Sequence, residues 1–247
     1  MINDDSALAA ALATAAGRLL LDVRQRYADA EPAERKAAGD SESHEYLMAQ
    51  LGSARPGDAV LSEEGRDDLA RLDAERVWII DPLDGTREFS EFRDDWAVHV
   101  ALWQSGELVS GAVALPDSDI TFATPEVPLP APQPGPPRMV VSRSRPPAWT
   151  DEVAGALGAE LLPMGSVGAK VMAIVQGNAD VYVHAGGQYE WDSAAPVVVA
   201  RAAGLHTSRI DGTALRYNCR DPLLADLVIC RPELSEDVLE AVRAVAL

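Results

Sequence analysis

The apolar run Val77-Trp78-Ile79-Ile80 stops abruptly at Asp81-Pro82-Leu83-Asp84-Gly85-Thr86. Such an unbroken run suits a strand buried on both faces, and a buried strand that ends in acid points that acid at something. Pro82 cannot continue a hydrogen-bonded ladder, and Gly85 permits a tight turn. From Thr86 onward the chain can open a helix whose free N–H groups face an anion. Two fixed carboxylates beside an anion-binding helix end require cations between them, which describes a metal-dependent phosphate site. The plainer alternative makes Asp81 a strand-end turn residue and Asp84 a helix N-cap.

Composition narrows the classes. The chain has 247 residues, 47% of them hydrophobic, enough for a substantial core in one large domain or two small ones. Its 39 acidic and 21 basic residues give a formal charge of −18, which repels a nucleic-acid polymer or an anionic membrane. A small polyanion remains a fitting partner if metal ions neutralise its pocket. Cys219 and Cys230 have no CxxC spacing, so neither a disulfide framework nor a zinc site is expected. The first residues, Met-Ile-Asn-Asp-Asp, lack a basic leader, and no apolar run is read as approaching the roughly 18 residues of a membrane span. A cytoplasmic location is the expectation.

Along the chain, Leu8, Ala11, Leu12, Ala15 and Leu19 recur at helical spacing from Asn3 to about Tyr27, with Asn3, Asp4 or Asp5 as cap. After a polar break, Asp40–Leu51 reads as a second helix with Asp40 at its start, where an N-cap suffices as explanation. Ala59–Ser62 and Arg76–Ile80 read as strands that present Glu63 and Asp81 at neighbouring ends, with a short helix between them. Trp96–Trp103 and Leu108–Leu115 flank a hairpin signal, and Ile120–Thr124 extends the meander. His99, inside the first of these strands, is read as a packed residue. Seven of the chain's 17 prolines fall between Pro125 and Pro137, marking an extended connector. Beyond it the pattern gives strands at Arg138–Ser142, Glu160–Leu162, Ala179–His184 and Leu227–Cys230. Helices are read at Asp151–Leu157, Ser166–Gln176, Asp192–Ala203 and Ser235–Val245. The expected organisation is therefore one catalytic unit over 1–247, with an N-terminal half 1–124, the connector 125–137 and a C-terminal half 138–247.

Three segments, Leu61-Ser62-Glu63-Glu64-Gly65, Trp78 to Phe89 and Glu190-Trp191-Asp192-Ser193-Ala194-Ala195, together resemble the inositol monophosphatase superfamily. The wording is most similar to its CysQ branch, the 3'(2'),5'-bisphosphate nucleotidases, in the actinobacterial form. The resemblance implies a layered αβαβα sugar-phosphatase fold, with the site between the halves near the Pro-rich junction. It implies lithium sensitivity and Mg²⁺, which suits a ligand set of oxygens alone. Glu63, Asp81 and the Leu83 carbonyl would hold one ion, and Asp81, Asp84 and Asp192 a second, with a weaker third beside Glu63 and Asp40. Thr86, hydrogen-bonded to Asp40, would orient the attacking water, and His44 takes the place of a His or Asn that follows this Asp in the family. The family carries Thr three residues before that Asp, where this chain has Ala37. Substrate contacts fall to Gly85, Thr86, Ser166, Glu190 and Asp192, although Ser166 is equally an ordinary N-cap. Lys170 and the Arg143/Arg145 turn are the cations for a second phosphate, or a solvated basic turn.

The activity so implied is removal of the 3'-phosphate of adenosine 3',5'-bisphosphate, with a role in sulfur metabolism. Inositol monophosphate or fructose 1,6-bisphosphate phosphatase stays open as the alternative, as does a non-catalytic metal-binding module. The expected partner is a small phosphorylated substrate, with no nucleic acid and no membrane, and a homodimer stays open.

Overall fold

The computed structural model describes residues 4–67 and 69–246. Five layers alternate helix and sheet. The first holds α1 (Asp5–Arg26) and α2 (Pro32–Ala54). The second is a sheet ordered β1 (Ala59–Ser62), β2 (Arg76–Asp84), β3 (Ala97–Gln104), β4 (Glu107–Leu115) and β5 (Ile120–Ala123), parallel between β1 and β2 and antiparallel elsewhere. The one-turn helix α3 (Thr86–Ser90) follows β2. The later elements are β6 (Arg138–Ser142), α4 (Thr150–Leu157), β7 (Glu160–Met164), α5 (Val167–Val175), β8 (Val181–Tyr189), α6 (Glu190–Ala202), β9 (His206–Ser208), β10 (Leu223–Cys230) and α7 (Ser235–Ala246). They form a second sheet ordered β7-β6-β8-β10-β9, with α5 and α6 between the sheets and α4 and α7 outside.

Strand periodicity explains why the layers stack. In β2, Trp78 and Ile80 pack with Leu8, Leu12, Leu20 and Leu47 of the outer helices, while Val77 and Ile79 meet Val171, Ala194 and Val197 of the middle ones. In β10, Leu227 and Ile229 face that middle layer and Val228 and Cys230 face α4 and α7. The uniform hydrophobicity of β2 is thus the signature of a strand with helices on both sides.

Three expectations change. α1 is long and apolar enough to cross a membrane by length and composition, contrary to the reading of no such run. Its Leu8, Leu12, Leu20 and Val23 are instead buried against the first sheet, each contributing roughly 1.5–3 kcal/mol. Asp4 caps this helix by accepting the Ser6 N–H at 2.9 Å, and Asn3 lies outside the described residues. α2 starts at Pro32, not at Asp40. Proline is compatible with the first helical turn and Ala33 to Ala38 are good helix formers, so Asp40 sits two turns inside the helix and caps nothing. Finally, the connector does not run beside the predicted site. Pro130 and Gln133 lie against Gly177 and the Pro130 carbonyl accepts from Arg231, at the C-terminal end of α5, whereas the acidic residues meet its N-terminal end. The short strand β9 was not anticipated.

Candidate active site

A cleft of about 410 Å³ opens between the two sheets where β2 ends. Asp81, Asp84 and Asp192 present carboxylate oxygens that all lie within 4.8 Å of one another. They come from two halves of the chain because β2 and the first turn of α6 converge there. Gly85, with φ +87°, lets the chain turn sharply after Asp84, and a Cβ there would meet Ser166 Cβ at 2.9 Å.

The trio is held unevenly. Asp81 is 1% exposed, its Oδ1 accepts the Leu83 N–H at 3.0 Å, and its Oδ2 is buried with no hydrogen-bond partner. Burial, then Glu63, Asp84 and Asp192, raise its carboxyl well above the ordinary range. Burial works in the same direction on Asp84, yet His99 and the Gly168 N–H, which donates at 2.7 Å, hold it below the ordinary value. Asp192 Oδ2 accepts the Tyr189 N–H at 2.5 Å, and burial still pushes this carboxyl up to about 7, with Asp84 and Glu63 adding to it. Glu63 follows β1 at the mouth. Its residue surface is open, but protein hems in its carboxyl, which burial and then Glu64, Asp84 and Asp40 push to about 7 against a contact with Asp81. An orphaned, buried carboxylate oxygen among three more acids fits a hard divalent cation, since the partners of Asp84 and Asp192 leave Asp81 Oδ2 unsatisfied.

Two anchors bring α2 to this place; the sequence reading singles out His44 by its place after Asp40 but not its bond to Ser62, and does not single out Ser43. The Ser43 hydroxyl donates to the Pro82 carbonyl at 2.7 Å, and His44 Nδ1 lies 2.9 Å from Ser62 Oγ beside Glu63. Asp40, on the same helix, has its carboxyl raised to about 7 by burial and by Glu64, with Lys36 opposing. The Thr86 hydroxyl turns to the Leu83 carbonyl at 3.5 Å instead of bonding to Asp40. The helix end behind Gly85 is one turn long, so it offers individual N–H donors in place of the field of a long helix.

On the C-terminal side the sequence expectations divide. Ser166 walls the cleft, but its Oγ accepts the Ala169 N–H at 2.8 Å as the N-cap of α5. The Glu190 carboxylate is engaged by backbone, accepting the Asn218 N–H at 2.6 Å and the Cys219 N–H at 2.8 Å. Two residues along a helix is a rotation of about 200°, so Glu190 and Asp192 face apart. The chain's two lysines, Lys36 and Lys170, both wall the cleft. Lys170 is nevertheless committed, donating to the Ser166 carbonyl at 2.6 Å and to the Gly165 carbonyl, and burial lowers it to about 8. Arg143 is paired with Glu88 at 2.9 Å and Glu91 at 2.5 Å. Of the three cations expected for a second phosphate, Arg145 remains: it walls the cleft along with Lys36 and Arg87, and no side chain among the described residues engages its guanidinium.

The inositol monophosphatase family model matches residues 3–126 and 138–246, leaving out the Pro-rich segment. The chain is 50% identical over 237 residues to the 3'-phosphoadenosine 5'-phosphate phosphatase of Mycobacterium tuberculosis (strain CDC 1551 / Oshkosh), covering 92% of this chain and 89% of that protein. It is 31% identical over 199 residues to the 3'(2'),5'-bisphosphate nucleotidase CysQ of Escherichia coli (strain K12), covering 76% and 81%. Among solved structures, CysQ from Bacteroides thetaiotaomicron superposes with a TM-score of 0.79 at 28% identity, covering 93% of this chain and 98% of that one.

Proposed function

This chain belongs to the inositol monophosphatase family, whose members are metal-dependent, and we propose that it removes the 3'-phosphate of adenosine 3',5'-bisphosphate to give AMP and phosphate. The observation that carries this reading is a cleft with two kinds of anion receptor. One end is a carboxylate cluster that calls for cations. The other is the free guanidinium of Arg145.

Glu63, Asp81, Asp84, Asp192 and the Leu83 carbonyl would hold Mg²⁺ in two positions, with a third beside Asp40. Bound there, Mg²⁺ would acidify a water and neutralise the charge on the phosphoryl oxygens and the leaving alkoxide. The Gly85 and Thr86 N–H groups would hold phosphoryl oxygens. The Thr86 hydroxyl orients the attacking water, and Asp40 takes part as a nearby acid; their mutual contact would form only with substrate in place. Because attack is in line, the leaving nucleoside lies on the opposite side, toward Asp192 and β8. That wall carries Tyr182, His184 and Gly186, and Arg145 lines the same cleft. The two halves of the chain act as one catalytic unit, since each supplies part of the carboxylate trio.

Phosphate release with Mg²⁺ from adenosine 3',5'-bisphosphate, inositol 1-phosphate and fructose 1,6-bisphosphate tests the reading. The bisphosphate nucleotide should give the highest kcat/KM. Arg145→Ala should raise its KM about tenfold or more, since a charge-assisted contact contributes about 1.5–3 kcal/mol, and leave inositol 1-phosphate nearly unaffected. A higher wild-type kcat/KM for inositol 1-phosphate, or equal losses on both substrates, would overturn the nucleotidase assignment.

A further inference from the structure

His99 is the one histidine with no exposed surface, and it sits in β3 on the face turned toward the middle helices. Its neighbours on that face, Ala97 and Ala101, are apolar. A polar ring in such a place loses its water and must recover the interactions from protein. Its two nitrogens face polar atoms of two different elements. Nδ1 lies 3.2 Å from the Trp191 carbonyl, on the residue preceding Asp192. Nε2 lies 3.2 Å from Asp84 Oδ2, off the line of a hydrogen bond, so this nitrogen is a buried polar atom aimed at the acidic cluster without a formal partner.

Gly168 completes the arrangement. Its N–H donates to the same Oδ2 at 2.7 Å, and a Cβ at this position would come within 2.3 Å of His99 Nε2 and 2.7 Å of Ala97 Cβ. Only a residue without a side chain allows the first turn of α5 to close on both Asp84 and His99. The imidazole therefore stands between β2, which carries Asp84, and the start of α6, which carries Asp192. These two carboxylates come from opposite halves of the chain and repel each other across a few ångströms. The hydrogen bond on Asp192 itself, from the Tyr189 N–H, is internal to its own helix cap and does not reach Asp84.

We propose that His99 is a positioning residue of the metal site, fixing Asp84 relative to Asp192 by contacting one oxygen of Asp84 and the backbone carbonyl that precedes Asp192. The inference rests on the reading of these two carboxylates as metal ligands. A residue that orients a ligating carboxylate typically contributes ten- to hundredfold in metal affinity. A packing histidine contributes to stability alone.

The experiment measures Mg²⁺ binding to the purified, EDTA-treated chain by titration calorimetry, with no substrate present, beside thermal melting and kcat at saturating Mg²⁺. Leucine fills the ring's place with apolar volume and removes both polar contacts. His99→Leu should weaken Mg²⁺ binding about ten- to hundredfold while kcat at saturating Mg²⁺ stays within a few-fold of wild type. His99→Asn, which can still direct an amide N–H at Asp84, should recover most of the affinity. If His99→Leu does not fold, Gly168→Ala supplies the decision, because its methyl displaces the ring without removing it and should lower Mg²⁺ affinity in the same way. Affinity within twofold of wild type in the folded variant would overturn the proposal and leave His99 a packing residue. Should Asp84→Asn also bind Mg²⁺ as tightly as wild type, the failure would belong to the ligand assignment and not to His99 alone.

Discussion

Strand β2 is charged at both ends, and the two ends are built on opposite rules. At its start, Arg76 donates to Asp58 at 3.0 Å and to Asp5 at 3.0 Å, while the buried Trp78 indole donates to the second Asp58 oxygen at 2.8 Å. Asp5 also takes Arg55 at 2.9 Å. Every acid there has a cation, and the hydrogen bonds to Asp58 and Asp5 raise the Arg76 pKa despite partial burial. At its finish, Asp81 is surrounded by Glu63, Asp84 and Asp192, with one oxygen left unpartnered. Burial deepens from the partly exposed Arg76 to the buried Asp81, which raises the cost of any charge left unpaired at the finish. Partner choice separates them further: one end pairs its acids with arginines to hold the fold, and the other gathers acids with one oxygen left open for something that arrives later.

The largest effect should come from the unpaired end. Asp81→Asn removes the charge shared among the other three acids, so phosphate release at saturating Mg²⁺ should fall to background. The metal-free protein should melt higher, by about 2–4 °C for each kcal/mol of repulsion relieved in a chain of this size. A variant that melts lower without metal and still turns over would erase the contrast between the ends.

A pH scan should sharpen it. Asp40, Glu63 and Asp192 have folded values near 7 against ordinary values of 3.8 to 4.5. Between about pH 4 and 7 the metal-free folded state therefore holds more protons than the unfolded chain. Its stability is gained as pH falls through 7 and lost as pH rises. The melting temperature of EDTA-treated protein should rise from pH 8 to pH 5.5, and rise less in Asp192→Asn. Mg²⁺ has to displace these protons, so its affinity should fall by up to about tenfold per pH unit per proton below pH 7. Calorimetry in two buffers of different ionisation enthalpy counts the protons released, and a count of zero at pH 6.5 would refute the raised carboxyls.

The smallest effect belongs to the paired end. Asp58→Asn should cost about 1 kcal/mol, a few degrees of melting temperature, with kcat and Mg²⁺ affinity unchanged. Loss of Mg²⁺ affinity in this variant would mean that the two ends of the strand are not independent.

Much of this was legible in the residues themselves. Local pattern is set by neighbours a few positions away, and the chain states it plainly: the two-faced strand at Val77–Ile80, its stop at Asp81-Pro82, the turn at Gly85, the hairpin at Ser105-Gly106 and the Pro-rich divide. The grouping of Asp81, Asp84 and Asp192 also followed, through a resemblance carried by those same local words. What failed was partner assignment. Asp40 reads as a cap until α2 is seen to begin at Pro32, and nothing local announces that the Glu190 carboxylate takes the Asn218 and Cys219 N–H groups. Lys170 and Arg143 read as free cations, whereas the fold commits one to the Gly165 and Ser166 carbonyls and the other to Glu88 and Glu91. His99 meets Asp84 and Trp191 from strand β3, and Gly168 reaches Asp84 across 84 positions of sequence. The order of apolar, acidic and turn-forming residues is enough to specify the elements, the layers and the presence of an acidic site. Which charges are paired and which stay free depends on the folded arrangement, because a charge is neutralised by whatever lies within a few ångströms in space, and that distance is set by packing of segments far apart in the chain.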